Sequence, residues 1–228
     1  MSVPVATRQT RQDIDREVAI GSLQLSGHLR LPASAAALVI FAHGSGSSRF
    51  SPRNRAVADA LNAQGMGTLL FDLLTTDEEQ DRANVFDISL LSERLVDVVD
   101  WIDAQPELAG LPLGLFGAST GAAAALVAAA KLGSRIGAVV SRGGRPDLAG
   151  AALEKVTAPT LLIVGGFDSG VIELNEQAYA RLTVTKSLEI VPGATHLFPE
   201  SGAMEAVIVL AARWFSAYLT APRRATAV

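Results

Sequence analysis

The segment "LPLGLFGASTGAAAALVAAAKLG", Leu111–Gly133, decides how the rest of the chain reads. An apolar, strand-like run breaks at Gly117-Ala118-Ser119-Thr120-Gly121 and continues as an alanine-rich helical stretch. The pattern G-x-S-x-G between a strand and a helix predicts a sharp turn. Such a turn strains the backbone of the serine and holds its hydroxyl out over the sheet edge. Small neighbours on both sides make that turn possible. A helix leaving it must lie close against the sheet, and methyl side chains permit the approach. The helix start adds free N–H groups and the positive end of a macrodipole, both favourable to a developing oxyanion. The bland alternative is that two glycines merely end a strand and Ser119 caps a helix.

Outward from this turn, short apolar runs alternate with helical patterns. "ALVIFAH" (37–43), "GTLLFD" (67–72), "IGAVVS" (136–141), "APTLLIVGG" (158–166) and "SLEIV" (187–191) read as buried strands. "SPRNRAVADALNAQG" (51–65) reads as a helix, with Ser51 as N-cap, Pro52 at its first position and Gly65 past its end. Ile88, Leu91, Leu95, Val98 and Ile102 share one helical face. "VIELNEQAYARL" (171–182) and "GAMEAVIVLAARWFSAYL" (202–219) supply two more helices. Alternation in "REVAIGSLQLSGHLRLP" (16–32) predicts an N-terminal β-hairpin turning near Gly21. Continuous apolar strands separated by helices imply an α/β fold, with a mostly parallel sheet covered on both faces. Right-handed crossovers put every strand-to-helix loop at one edge of it. Residues distant in sequence converge there.

A serine hydroxyl needs a base, and the base an orienting acid. The chain has three histidines, and only His196, in "VPGATHLF", follows Ser119. It stands between the last strand and the last helix. Asp168, in "LLIVGGFDSGVIELN", directly follows a strand and is the matching acid; Glu173 competes but falls inside a helical pattern. The plainer role for Asp168 is to cap that helix. "HGSGSS" (43–48) ends the first parallel strand, and its turn can aim a second N–H at an oxyanion. Ser45 is the expected donor there and Thr120 the first donor. His43 is expected to brace that loop by a hydrogen bond, and His28 to be structural.

Composition narrows the classes. A length of 228 residues suits one domain, taken as 1–228 with 1–12 and 222–228 as flexible tails. Hydrophobic residues at 49% can fill a core, and a formal net charge of -4 argues against a nucleic-acid partner. The absence of cysteine excludes disulfides and a thiolate nucleophile. No apolar leader opens the chain, and the run "AVIVLAARWF" (206–215), which contains Arg213, is short for a bilayer. A cytoplasmic protein, monomeric or homodimeric and without a membrane partner, is the expectation. Arg49, Arg53 and Arg55 follow one strand, Arg142 and Arg145 another. Arg49 or Arg142 is expected to favour substrates with an anionic group, against the plainer reading of solvated charges. The acidic stretch "TTDEEQD" (75–81) could border the site and reads mainly as a solvated loop.

Taken together, "HGSGSS", "GASTG", "GGFDSGV" and "GATHLF" occur in the order found in α/β-hydrolases, and the chain resembles the compact, dienelactone hydrolase-like members without a large lid domain. The resemblance implies a serine hydrolase that cleaves small carboxylic esters through an acyl-enzyme, without metal or organic cofactor. Authentic dienelactone hydrolases carry cysteine where Ser119 stands here, so the resemblance implies ordinary ester hydrolysis before lactone opening. Thioesterase, lactonase, peptidase and acyltransferase activities fit the same three residues. A non-catalytic binding module would not need all three. A dinucleotide site at "HGSGSSR" fails because Arg49 replaces the last glycine of G-x-G-x-x-G.

Overall fold

The computed structural model describes residues 12–220, so the expected terminal tails fall almost wholly outside the described residues. Eight strands form one sheet: β1 (Ile14–Ile20), β2 (Leu25–Leu31), β3 (Leu38–Ala42), β4 (Gly67–Phe71), β5 (Leu113–Ala118), β6 (Ile136–Arg142), β7 (Thr160–Gly165) and β8 (Lys186–Val191). Their spatial order is β1-β2-β4-β3-β5-β6-β7-β8. β1 and β2 make the expected hairpin, with Gly21 at φ +62, and β2 joins β4 antiparallel; all other pairings are parallel.

Strands β3, β4, β5 and β7 are buried at every position, which explains their unbroken apolar runs. Among the described residues seven α-helices accompany the sheet: α1 (Pro52–Ala63), α2 (Thr76–Glu79), α3 (Arg82–Phe86), α4 (Ile88–Asp103), α5 (Thr120–Leu132), α6 (Ser169–Arg181) and α7 (Ala203–Phe215). Alternate residues of β3 sort them to two faces. Leu38, Ile40 and Ala42 pack with α4, α5 and α6, whereas Val39 and Phe41 pack with α1 and α7. The fold is that of α/β-hydrolases. The helical stretch Ala203–Thr220 has the length and apolar content of a membrane span, but it lays Val207, Ala211 and Phe215 against the sheet as a core helix does.

The stretch 75–81 departs from the solvated-loop expectation. Thr75 Oγ1 accepts from the Glu78 N–H while Glu78 Oε2 accepts from the Thr75 N–H, a capping box that starts α2. Asp81 then caps α3. A run of 3-10 turns, Pro146–Lys155, connects β6 to β7.

Candidate active site

The elbow is built as its sequence predicts. Ser119 has φ 52 and ψ −124, a left-handed conformation for a non-glycine residue. Both flanking glycines are required by contact. A Cβ on Gly121 would overlap the Ala42 carbonyl oxygen and sit 2.5 Å from that of His43. One on Gly117 would collide with the backbone of Ala122. This is the close approach that the alanines of α5 permit: nine of its residues, from Thr120 to Ala129, are buried.

Ser119 and Asp168 each stand at the N-cap of a helix, of α5 and α6, and neither side chain caps it. The Asp168 carboxylate turns away instead and its Oδ2 accepts from His196 Nδ1 at 2.6 Å. Asp168 is largely buried and His196 about two-fifths exposed. The capping explanation for these two residues therefore fails. Glu173 lies exposed on α6.

The loop carrying His196 is tied to the loop carrying Asp168. The Phe167 N–H donates to the Ala194 carbonyl at 2.9 Å, and a Cβ on Gly165 would sit 2.5 Å from that same oxygen, so only glycine lets the loop cross the end of β7. Glu200 accepts from the Thr195 N–H at 3.1 Å and from its hydroxyl at 2.6 Å. Phe198, buried and at φ +56, anchors the far side. Ser119 and His196 flank the same short segment. The Ser119 N–H donates to the Arg142 carbonyl at 3.3 Å, and a Cβ on Gly143 would lie 3.0 Å from the His196 carbonyl oxygen. The hydroxyl of Ser119 forms no hydrogen bond to His196 here; such contacts tighten when substrate binds.

The loop after β3 lies over the elbow. A Cβ on Gly44 would be 2.9 Å from Ser119 Cβ. The Ser45 N–H faces Thr120, as expected of a donor pair, but it donates to Thr120 Oγ1 at 3.0 Å. The Thr120 N–H, at the first position of α5, has no helix carbonyl to bond. His43 braces the loop: Nδ1 donates to the Gly44 carbonyl at 3.0 Å and Nε2 accepts from the Leu73 N–H at 3.1 Å. Burial pushes its pKa below the ordinary histidine value. His28 bonds Asp15 within the hairpin at 2.7 Å.

The two arginines differ. Arg49 is spoken for: its guanidinium pairs with Asp72, its N–H donates to Asp72 Oδ1 at 2.7 Å, and it stacks over Phe50 at 4.1 Å. Arg142 is 5% exposed with no acid beside it. Burial, then the charge of Arg53, brings its pKa down to about 10.

A cleft of about 820 Å³ opens beside the elbow, lined by His43, Gly44 and Ser45 and also by Phe50, Leu74, Glu79, Arg82 and Phe86. Glu79 belongs to α2 and Arg82 and Phe86 to α3, so the stretch 75–81 does border the cleft, but sequence reasoning missed that it does so as helix. The T-x-x-E of Thr75 and Glu78 was the available signal. Among the described residues no three His, Asp or Glu side chains converge as metal ligands.

Residues 35–206 match the model of the alpha/beta hydrolase domain, and the chain belongs to that family. Within it, the chain is 52% identical to a dienelactone hydrolase from Anabaena variabilis, whose structure superposes with a TM-score of 0.87 over 92% of this chain and 100% of that one. Est1E from Butyrivibrio proteoclasticus, 18% identical, shares the fold at a TM-score of 0.73, over 88% of this chain and 97% of its own. Two Mycobacterium tuberculosis proteins provisionally named phosphoribosyl transferases are each 54% identical over 221 residues. That alignment takes in 97% of this chain but 50% of theirs, so the chain spans about half the length of these curated relatives.

Proposed function

We propose that the protein is a serine hydrolase of small carboxylic esters, with Ser119 as nucleophile, His196 as base and Asp168 as the acid that orients it. The observation that carries this reading is the Asp168 carboxylate, turned from its own helix onto His196 Nδ1 beside a strained, uncapped serine. The ring then presents Nε2 as the acceptor for a proton.

In the reaction Ser119 Oγ attacks the ester carbonyl as His196 Nε2 takes its proton, and Asp168 steadies the imidazolium. The Thr120 N–H holds the oxyanion, joined by the Ser45 N–H once the Thr120 hydroxyl rotates off it. His196 then gives the proton to the departing alcohol. Water, deprotonated by the same ring, attacks the acyl-serine, and the acid leaves as the proton returns to Ser119. The transferase name belongs to relatives twice this length, and the part they share with this chain is its hydrolase domain.

A fluorophosphonate probe tests the nucleophile: it labels the wild type and fails to label Ser119→Ala. A panel of p-nitrophenyl esters, thioesters and lactones ranks the leaving groups, with esters expected first. Equal labelling of Ser119→Ala would end this reading.

A further inference from the structure

One feature near the elbow has no part in the hydrolytic chemistry. The Arg142 side chain is buried; among the described residues its Nε has no hydrogen-bond partner, and its one bond runs from Nη2 to Asn54 Oδ1 at 3.3 Å. Asn54 is the third residue of α1, so the guanidinium is aimed at the N-terminal turn of a 12-residue helix. Arg53, the second residue of that helix, adds another charge beside it and also buries an Nε without a partner. The first turn of α1 holds no acidic residue, and among the described residues no carboxylate pairs with either arginine.

Two guanidinium groups and the positive end of a helix dipole thus meet with nothing to neutralise them. Buried like charges are unfavourable unless a counter-charge completes the cluster. Tight ion pairs elsewhere in the molecule, such as Arg49 with Asp72 and Arg145 with Asp147, show the usual arrangement. Pro52 brings no N–H and Ser51 Oγ takes that of Asn54, which leaves the Arg53 N–H at the helix start; that group and the arginine forks suit phosphate oxygens. Charge decides between anions. A carboxylate supplies one negative charge, whereas a phosphate monoester carries about 1.5 to 2 at neutral pH.

The structure assigns to Arg53, Arg142 and the N-terminus of α1 a niche for the phosphate of a phosphorylated ester, the substrate class of the site at Ser119. The niche and the elbow share a backbone segment, since Ser119 bonds the Arg142 carbonyl. Ser51 and Pro52, which begin α1, also line the cleft. The elbow, the start of α1 and the cleft thus adjoin, and the assignment gives both to one molecule, its ester at Ser119 and its phosphate at α1. The substrate half of this assignment rests on the ester-hydrolase reading; the phosphate niche does not.

The test compares 1-acetylglycerol 3-phosphate with 1-acetylglycerol, with monoethyl succinate as the carboxylate control, following acid release. The wild type is expected to favour the phosphorylated ester at least 10-fold in kcat/KM, and Arg53→Gln and Arg142→Gln to pull that ratio toward one. In parallel, millimolar inorganic phosphate should raise the Tm of Ser119→Ala, and of Ser119→Ala/Arg53→Gln much less. Preference for the succinate ester would overturn the choice of phosphate. A Tm shift without any preference between the glycerol esters would leave a free-phosphate site and overturn the substrate class. No Tm shift, with neutral esters still cleaved, overturns the niche but not the hydrolase. A Tm shift that depends on Arg53, with no ester cleaved, keeps the niche and sinks the hydrolase reading instead.

Discussion

Two histidines sit at the carboxyl edge of the same sheet, each in a glycine-containing loop, and they are built for opposite purposes. His43 ends β3 almost fully buried, with both ring nitrogens committed to backbone groups of Gly44 and Leu73. His196 follows β8 partly exposed, with one nitrogen on a carboxylate and, among the described residues, no partner for the other. Burial and the Leu73 N–H on Nε2 favour the neutral form of the first ring, which makes it a strut. A carboxylate on Nδ1 and an open Nε2 leave the second ring able to take and return a proton. The difference teaches that a histidine's task is set by its second nitrogen more than by its nearness to the nucleophile.

The largest expected effect separates the two directly. His196→Ala should lower kcat/KM by about 10⁴-fold or more, a loss of about 5.5 kcal/mol of transition-state stabilisation, while barely moving Tm. Asp168→Asn should cost about 10³- to 10⁴-fold by the same assay, because the wrong tautomer is then favoured. If His43→Ala matched His196→Ala in kcat with an unchanged Tm, the assigned roles would be reversed.

Next in size is a backbone effect. Gly121→Ala forces a methyl group against the carbonyl oxygens of Ala42 and His43, where neither strand end nor helix can yield. A loss of about 3 kcal/mol in urea unfolding is expected. His43→Ala should destabilise by about 2 kcal/mol, since the Leu73 N–H loses its acceptor inside the core.

The smallest effect is the dependence on pH. Because the folded-state pKa of His43 is depressed, the unfolded chain binds this proton more readily than the folded one. Its contribution to stability is whole above about pH 6.5, the unfolded value, and is lost as pH falls below it toward the folded pKa. Chemical denaturation from pH 7.5 to 5 should show that decline in the wild type and a shallower one in His43→Gln. Parallel slopes would mean that the ring is not held neutral.

How much of this was legible in the chain varies by residue. Gly117, Ser119 and Gly121 announce the elbow because the steric demands of a strand-to-helix turn are local. Asp168 and His196 follow because strand order places loops, and loops place side chains at one rim. The helical form of α2 was hidden because "TTDEEQD" is as polar as a solvated loop, and only its T-x-x-E spacing distinguishes it. Arg49 and Arg142 look equivalent as letters. Asp72, at the end of a different strand, neutralises the first, and no acid reaches the second.

By itself, then, the order of residues determined the alternation of strands and helices, the strained serine and the candidates for its partners, all of which depend on neighbours within a few positions. The tertiary structure alone decided that Thr120 occupies the Ser45 N–H, that Leu73 supplies the second bond to His43, and that Arg53 and Arg142 converge without a counter-charge. These are matters of which groups from distant segments share a low-dielectric space, and burial and pairing there arise only when the sheet has assembled.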